Sequence, residues 1–505
     1  MERKDLIGLG LLFCGTCGGI VLTCLSQRIR DVFFFLLVTL SAVTESIDIN
    51  FVSREWYRGT TCGFEVSFVD VLSMSLLASA ILRPRSGEKR WFWPASFGWM
   101  LVYFMFAGLC VGLADPKLFG LFELSKMVRG MVVFLAAALY LRSERELRLF
   151  LWALGVVVCF EGLVALRQRY IFGMYRVCGT VDDSNSLSMY LCTTAPVFAA
   201  VITSRLSKYL KALGAVAIAL SFVAVLLTIS RAGLIAIILM LFGAAITTIS
   251  YRITLRKVFI TFLVMAGMAG ALGRAWKTVG ARFANDSLKN EYGAKHEQNR
   301  GYYIRIAAAI AEDSWFGVGP NNWSYWVSNK YGPKLGWHFV PYRGTDQKPG
   351  QIVPPGRNID DPQAAPAHSL AALTAGEMGL GGLALLTLLW ARWLLMGASF
   401  IWPRTPDPMR RIGVGIFFGM CGTFFQSITE WVFHQTPIFF TFNILLGVLA
   451  SLYALKKAER KDRRENDRDM AIDDYQREHM EEAAEDPAPD RDDPFVIRRS
   501  SFQFS

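Results

Sequence analysis

The residues of this chain that can do chemistry fall at the borders between apolar and polar sequence. His368 stands where a long polar stretch re-enters an apolar, glycine-spaced one, in Pro366-Ala-His-Ser-Leu-Ala-Ala-Leu-Thr-Ala-Gly-Glu-Met-Gly379. A histidine can take up and return a proton near neutral pH. The residues after it, Ser369 to Gly397, are apolar enough to cross a bilayer, so the imidazole is expected at the membrane surface. A base there suits chemistry on a lipid-borne substrate.

Arg231 interrupts two apolar blocks in Leu226-Leu-Thr-Ile-Ser-Arg-Ala-Gly233. A charge so closely flanked by apolar residues is costly without a partner and marks a functional position; snorkelling to lipid phosphates is the competing reading. Arg305 falls in the first turn of a short helix expected over Tyr302–Ser314, which Trp315-Phe-Gly-Val-Gly-Pro-Asn-Asn322 ends in a sharp turn. A third polar turn, Tyr175-Arg-Val-Cys-Gly-Thr-Val-Asp-Asp-Ser-Asn-Ser186, leads straight into an apolar block. Asn185 or Ser186 either caps that helix or meets a substrate. Glu377, nine residues after His368, falls on the opposite face of a continuous helix and reads as helix packing or a structural polar contact rather than as a group that orients the imidazole. Asp70, Glu161 and Arg392 lie in apolar surroundings without an assigned role.

The elements that must carry these residues are membrane helices. Of the 505 residues, 53% are hydrophobic, and they fall in separated blocks of about 20. Such blocks lie at 5–25, 91–113, 130–142 with its upstream turn, 146–166, 186–204, 211–229, 232–250, 257–275, 369–397, 411–428 and 436–455, with weaker ones at 32–47 and 64–82. The fold class is therefore all-α, a polytopic transmembrane bundle of about 12 or 13 spans, since a barrel needs strands of alternating polarity. The expected organisation is N-terminal membrane helices over 1–275, a long outer loop with short helices over 276–368, C-terminal membrane helices over 369–455, and a disordered, charged cytoplasmic tail over 456–505. Loops that long on a rigid scaffold tend to hold function.

Short loops rich in Lys and Arg at 83–90, 142–148, 205–211, 251–257, 404–411 and 456–464 mark the cytoplasmic side. They account for most of the net charge of +11, which is then a membrane pattern and no sign of nucleic-acid binding. Arg3 and Lys4 ask for a cytoplasmic N-terminus while Arg28 and Arg30 ask for a cytoplasmic first loop, and one demand must fail. The opening segment resembles an uncleaved signal anchor, since Phe13 before Cys14 is too large for lipoprotein-type cleavage. Most of the nine cysteines sit in apolar blocks as packing residues. Cys62 and Cys178 fall on the outer side, where a disulfide is chemically permitted.

Taken together, Arg-Val-Cys-Gly-Thr180 with Asn185 before a membrane helix, Ser230-Arg231-Ala-Gly233 between two helices, Arg305 upstream of Gly317-Val-Gly-Pro320, and His368-Ser369 followed by Glu377-x-Gly379-x-x-Gly382 resemble the O-antigen ligase and polymerase superfamily over about residues 160–450. The resemblance implies a metal-independent integral-membrane glycosyltransferase, with no cofactor. It would move a glycan from an undecaprenyl-diphosphate carrier to an acceptor hydroxyl, such as lipid A-core, on the periplasmic face of the bacterial inner membrane. By the same resemblance His368 is similar to the family's base and Arg231 and Arg305 to its diphosphate-binding arginines, with Arg176 and Asn185 as further substrate contacts. The residues suit that chemistry: a departing diphosphate needs forked cationic donors, and the acceptor hydroxyl needs a base, worth about 10²–10⁴ in rate. Alternatives remain open at this point. A polymerase or a protein-glycosylating member would use the same motifs, and a transporter without chemistry would place its charges along a central path.

Overall fold

A computed structural model describes residues 3–43, 48–54, 57–84, 91–181, 183–248, 300–336, 363–433 and 435–485, with isolated positions between 266 and 280. Its main helices are α1 (Arg3–Leu25), α2 (Gln27–Leu40), α3 (Phe68–Leu82), α4 (Phe97–Leu113), α5 (Lys117–Tyr140), α6 (Glu144–Tyr170), α7 (Ser184–Thr203), α8 (Lys208–Thr228), α9 (Arg231–Thr248), α10 (Arg300–Asp313), α11 (Leu370–Ala398), α12 (Pro408–Ser427) and α13 (Thr436–Glu485). Seven of them are long and apolar enough to cross a membrane, while α3 and α4 are shorter but apolar. A two-stranded antiparallel hairpin, β1 (Ile49–Phe51) with β2 (Phe64–Val66), was not expected from the sequence.

The helices other than α10 run between two ends. At the basic end, Arg30 donates to the carbonyls of Thr23 (2.7 Å), Ser79 (3.2 Å) and Arg83 (2.7 Å), Tyr140 reaches Asp31, and the Arg205 amide bonds Pro406. These contacts decide the N-terminal conflict. Residues 26–31 belong with the other Lys- and Arg-rich turns, and the start of α1 lies at the opposite end, where Gly8 faces Ile49 and Phe51. The expected span at 257–275 lies, apart from isolated positions, outside the described residues.

The centre of the bundle is α7, which packs against α8, α9 and α12. Contact with α12 is close because Gly415, Gly419 and Gly422 face it; a Cβ at Gly419 would stand 2.1 Å from the Thr193 carbonyl oxygen. Small residues at helical spacing let two membrane helices approach until dispersion and the Thr193–Thr423 hydroxyl contact (2.7 Å) hold them. A second anchor is Arg129 of α5, buried and paired with Asp70 and Glu65, each at 2.9 Å. That explains Asp70, which also closes the capping box of α3 with Ser67, and it ties the hairpin to the bundle. Arg392 lies over the Tyr453 ring.

Past Lys456, where the sequence leads to the expectation of a disordered tail, α13 continues as a helix to Glu485, with exposed side chains through Arg477. Lys, Arg and Glu are good helix formers, pairs such as Lys461–Glu465 (3.4 Å) support adjacent turns, and an already nucleated membrane helix needs only propagation. The rest of the tail lies outside the described residues.

Candidate active site

The turn between α12 and α13, Ile428-Thr-Glu-Trp-Val432, carries the residue around which the site is assembled. Glu430 is buried, with a side-chain exposure of 9%. Its Oε2 lies 2.9 Å from His368 Nδ1. Its Oε1 accepts from Asn185 Nδ2 (3.1 Å) and Arg300 Nη2 (3.3 Å). Asn185 in turn accepts from Arg176 Nη2 at 3.1 Å, and Arg176 Nε donates to the Thr228 carbonyl at 3.0 Å. Residues spread over more than 250 positions thus form one hydrogen-bonded chain.

Each member is held from below. The turn bearing Arg176 is pinned to α6, where Gln168 accepts from the amides of Cys178 and Gly179 and Glu161 accepts from the amide and hydroxyl of Thr180. Glu161 is therefore a buried brace. Asp183, and not Asn185 or Ser186, caps α7: its carboxylate accepts from both of their amides, which frees the Asn185 side chain for Glu430. Ser369 caps α11, so His368 sits one residue outside that helix. Cys62 and Cys178 are not joined by a disulfide.

The imidazole ring lies between Tyr303 (5.8 Å between centroids) and Trp431 (5.5 Å), with 39% of its side chain exposed. A carboxylate at Nδ1 favours the tautomer with the proton on that nitrogen and leaves the Nε2 lone pair to accept one. Tyr303 is no rival base. Burial, with Glu430 as the next cause, pushes its hydroxyl up to about 12, so it remains a phenol near neutral pH.

Glu377 proves to be structural. α11 breaks at Gly379, whose φ of 66° and ψ of −173° suit glycine alone. The freed carbonyls of Gly376 and Glu377 accept from the amides of Val318 and Gly319, and Glu377 Oε1 accepts from the Trp323 amide at 3.2 Å. The break in α11 is thus the seat on which the Gly317–Pro320 turn docks.

Beside Trp431 an apolar groove of about 130 Å³ runs between α4, α5, α11 and α13, lined by Met127, Leu373, Leu386, Trp393 and Phe442 among others. Glu123 and Glu377 are the charged residues on its wall.

Of the residues expected at the site, His368, Asn185 and Arg176 are brought together. Arg231 opens α9 three residues after Thr228, at the same end. Arg305 lies on the exposed face of α10, about 140° around the helix from Arg300; Arg300 is the arginine that reaches Glu430. Sequence reasoning missed Glu430 and Arg300. The argument applied to Arg231, a charge in a short turn between apolar blocks, points equally to Glu430.

Residues 216–387 match the family model described as O-antigen ligase. That stretch contains Arg231, Arg305 and His368, whereas Arg176, Asn185 and Glu430 lie outside it. No curated protein matches the chain.

Proposed function

We propose that this chain, whose residues 216–387 match the O-antigen ligase family model, moves a glycan from undecaprenyl diphosphate to an acceptor hydroxyl at the periplasmic face of the inner membrane. The observation that carries the reading is the His368–Glu430 pair at 2.9 Å in the middle of a cluster of arginines. Glu430 holds the Nδ1 proton and stabilises the imidazolium that forms. His368 Nε2 takes the proton of the acceptor hydroxyl as its oxygen bonds to the anomeric carbon. The bond from that carbon to the diphosphate breaks, and the electron pair leaves with the diphosphate. Arg300, Arg176, Arg231 and, from the exposed face of α10, Arg305 neutralise it, so no general acid and no metal is needed. The apolar groove beside Trp431 suits the tail of a lipid-borne substrate.

The test is glycan transfer by purified protein, given a lipid-diphosphate-linked glycan and candidate acceptors. Transfer to lipid A-core identifies a ligase; extension of a second lipid-linked glycan identifies a polymerase. His368→Ala is expected to abolish transfer with carrier binding largely kept, and chelators to change nothing. Near-normal transfer by His368→Ala, or a requirement for a divalent metal, overturns the mechanism.

A further inference from the structure

Arg58 belongs to the segment between β1 and β2, far in sequence from residues 216–387, yet three hydrogen bonds of its own tie it to segments that flank the site. Its amide donates to Gln363 Oε1 at 2.8 Å and its Nη1 to the Gln363 carbonyl at 3.3 Å. Its own carbonyl accepts from Ser324 Oγ at 2.8 Å. On either side of it, Tyr57 donates to the Asn321 carbonyl, and Thr60 and Thr61 donate to the Asn321 side chain. Asn321 is fully buried and holds a left-handed φ of 59°, so this mount is rigid. Gln363 lies five residues before His368, in the extended segment that delivers the imidazole. The pKa of the Tyr303 hydroxyl, whose ring faces His368, is raised by burial and by Glu430, and the charges of Arg58 and Arg300 act in the opposite direction.

The arginines differ in what they already hold. Arg300 is paired with Glu430, and Arg176 bonds Asn185 and Thr228. The Arg58 side chain bonds one neutral carbonyl, and among the described residues no carboxylate pairs with it. Here the backbone is fixed on both sides while the charge stays uncompensated, which is the arrangement expected where an anion from outside completes the site.

We propose that Arg58 contacts the substrate directly and holds one phosphate of the lipid diphosphate. This rests on the donor class inferred above. Arg300 shares its charge with Glu430, whereas Arg58 adds a positive charge that no carboxylate among the described residues offsets.

The test compares equilibrium binding of undecaprenyl diphosphate and undecaprenyl monophosphate, without glycan, to the full chain in lipid nanodiscs. The unsubstituted protein should prefer the diphosphate. Arg58→Ala should weaken diphosphate binding about 10–100-fold, the range of a charge-assisted hydrogen bond, with little effect on the monophosphate, so that the preference collapses. Arg58→Lys should recover part of it. Equal weakening of both ligands would show a merely structural role, and unchanged binding with poorer transfer of an acidic glycan would show that Arg58 reads the sugar; either overturns the proposal. Failure of the unsubstituted protein to bind either lipid would instead overturn the donor class itself.

Discussion

At the scale of single residues, the proposed chemistry depends on what Glu430 does for His368. Glu430→Gln keeps the size of the side chain and most of its bonding but cannot stabilise an imidazolium. It is expected to lower kcat roughly 10²-fold or more, by the logic of an acid-histidine pair, with the donor KM changed far less; an unchanged kcat would remove Glu430 from the mechanism. Resemblance selects Arg305 as a diphosphate contact, whereas geometry selects Arg300. Replacing each by Lys separates the two, because a point ammonium cannot reproduce forked contacts to phosphate. Arg300→Lys is expected to cost more of the transfer rate than Arg305→Lys, and the reverse order would restore the choice made from resemblance.

At the scale of elements, the site is a set of turns held down by helices that have given up regularity to hold them. The break in α11 is the plainest case. Gly379→Ala would place a Cβ 1.9 Å from the Trp315 carbonyl oxygen in a backbone conformation that costs a residue with a side chain about 1–3 kcal/mol. A lower unfolding temperature together with lost transfer is expected, since the Gly317–Pro320 turn loses its seat; a protein of unchanged stability and activity would show that the turn docks otherwise. Gly419→Leu acts on the other close contact, driving α12 from α7, and should leave little folded protein in the membrane. The buried Arg129 cluster makes a third such claim: Arg129→Ala strands Asp70 and Glu65 without their cation, a loss of about 3–5 kcal/mol, and thermal unfolding would register it.

For the whole molecule, the distribution of charge makes the sharpest statement. Lys- and Arg-rich turns gather at the end opposite His368, so the site should face outward and the tail inward. Single-cysteine variants His296→Cys and Asp490→Cys, probed in intact cells with a membrane-impermeant thiol reagent, should be modified at 296 alone; outside labelling at 490 would invert the topology. Truncation after Arg464 should leave transfer intact, because the helix beyond it has exposed side chains through Arg477 and is remote in sequence from every residue of the site. An inactive truncated protein at normal membrane levels would give the tail a role.

The sequence by itself determined the apolar blocks, the basic turns between them, and the positions of His368, Arg231 and Asn185 at helix borders. Burial in lipid acts on each segment separately, and so composition over about 20 residues reports it. Even there, the block at 130–142 with its upstream turn falls short of α5, Lys117–Tyr140, because Lys126 and Arg129 inside the helix are tolerated only through the partners they meet in the fold. Tertiary structure alone decided that Glu430 stands at His368, that Asn185 turns from cap to bridge, that Glu377 braces a break in a helix, and that Arg58 bonds Gln363 from the chain's first quarter. Each of these is a polar contact between residues 54 to 305 positions apart. No local periodicity encodes such a contact, because it depends on which helix ends the bundle sets side by side.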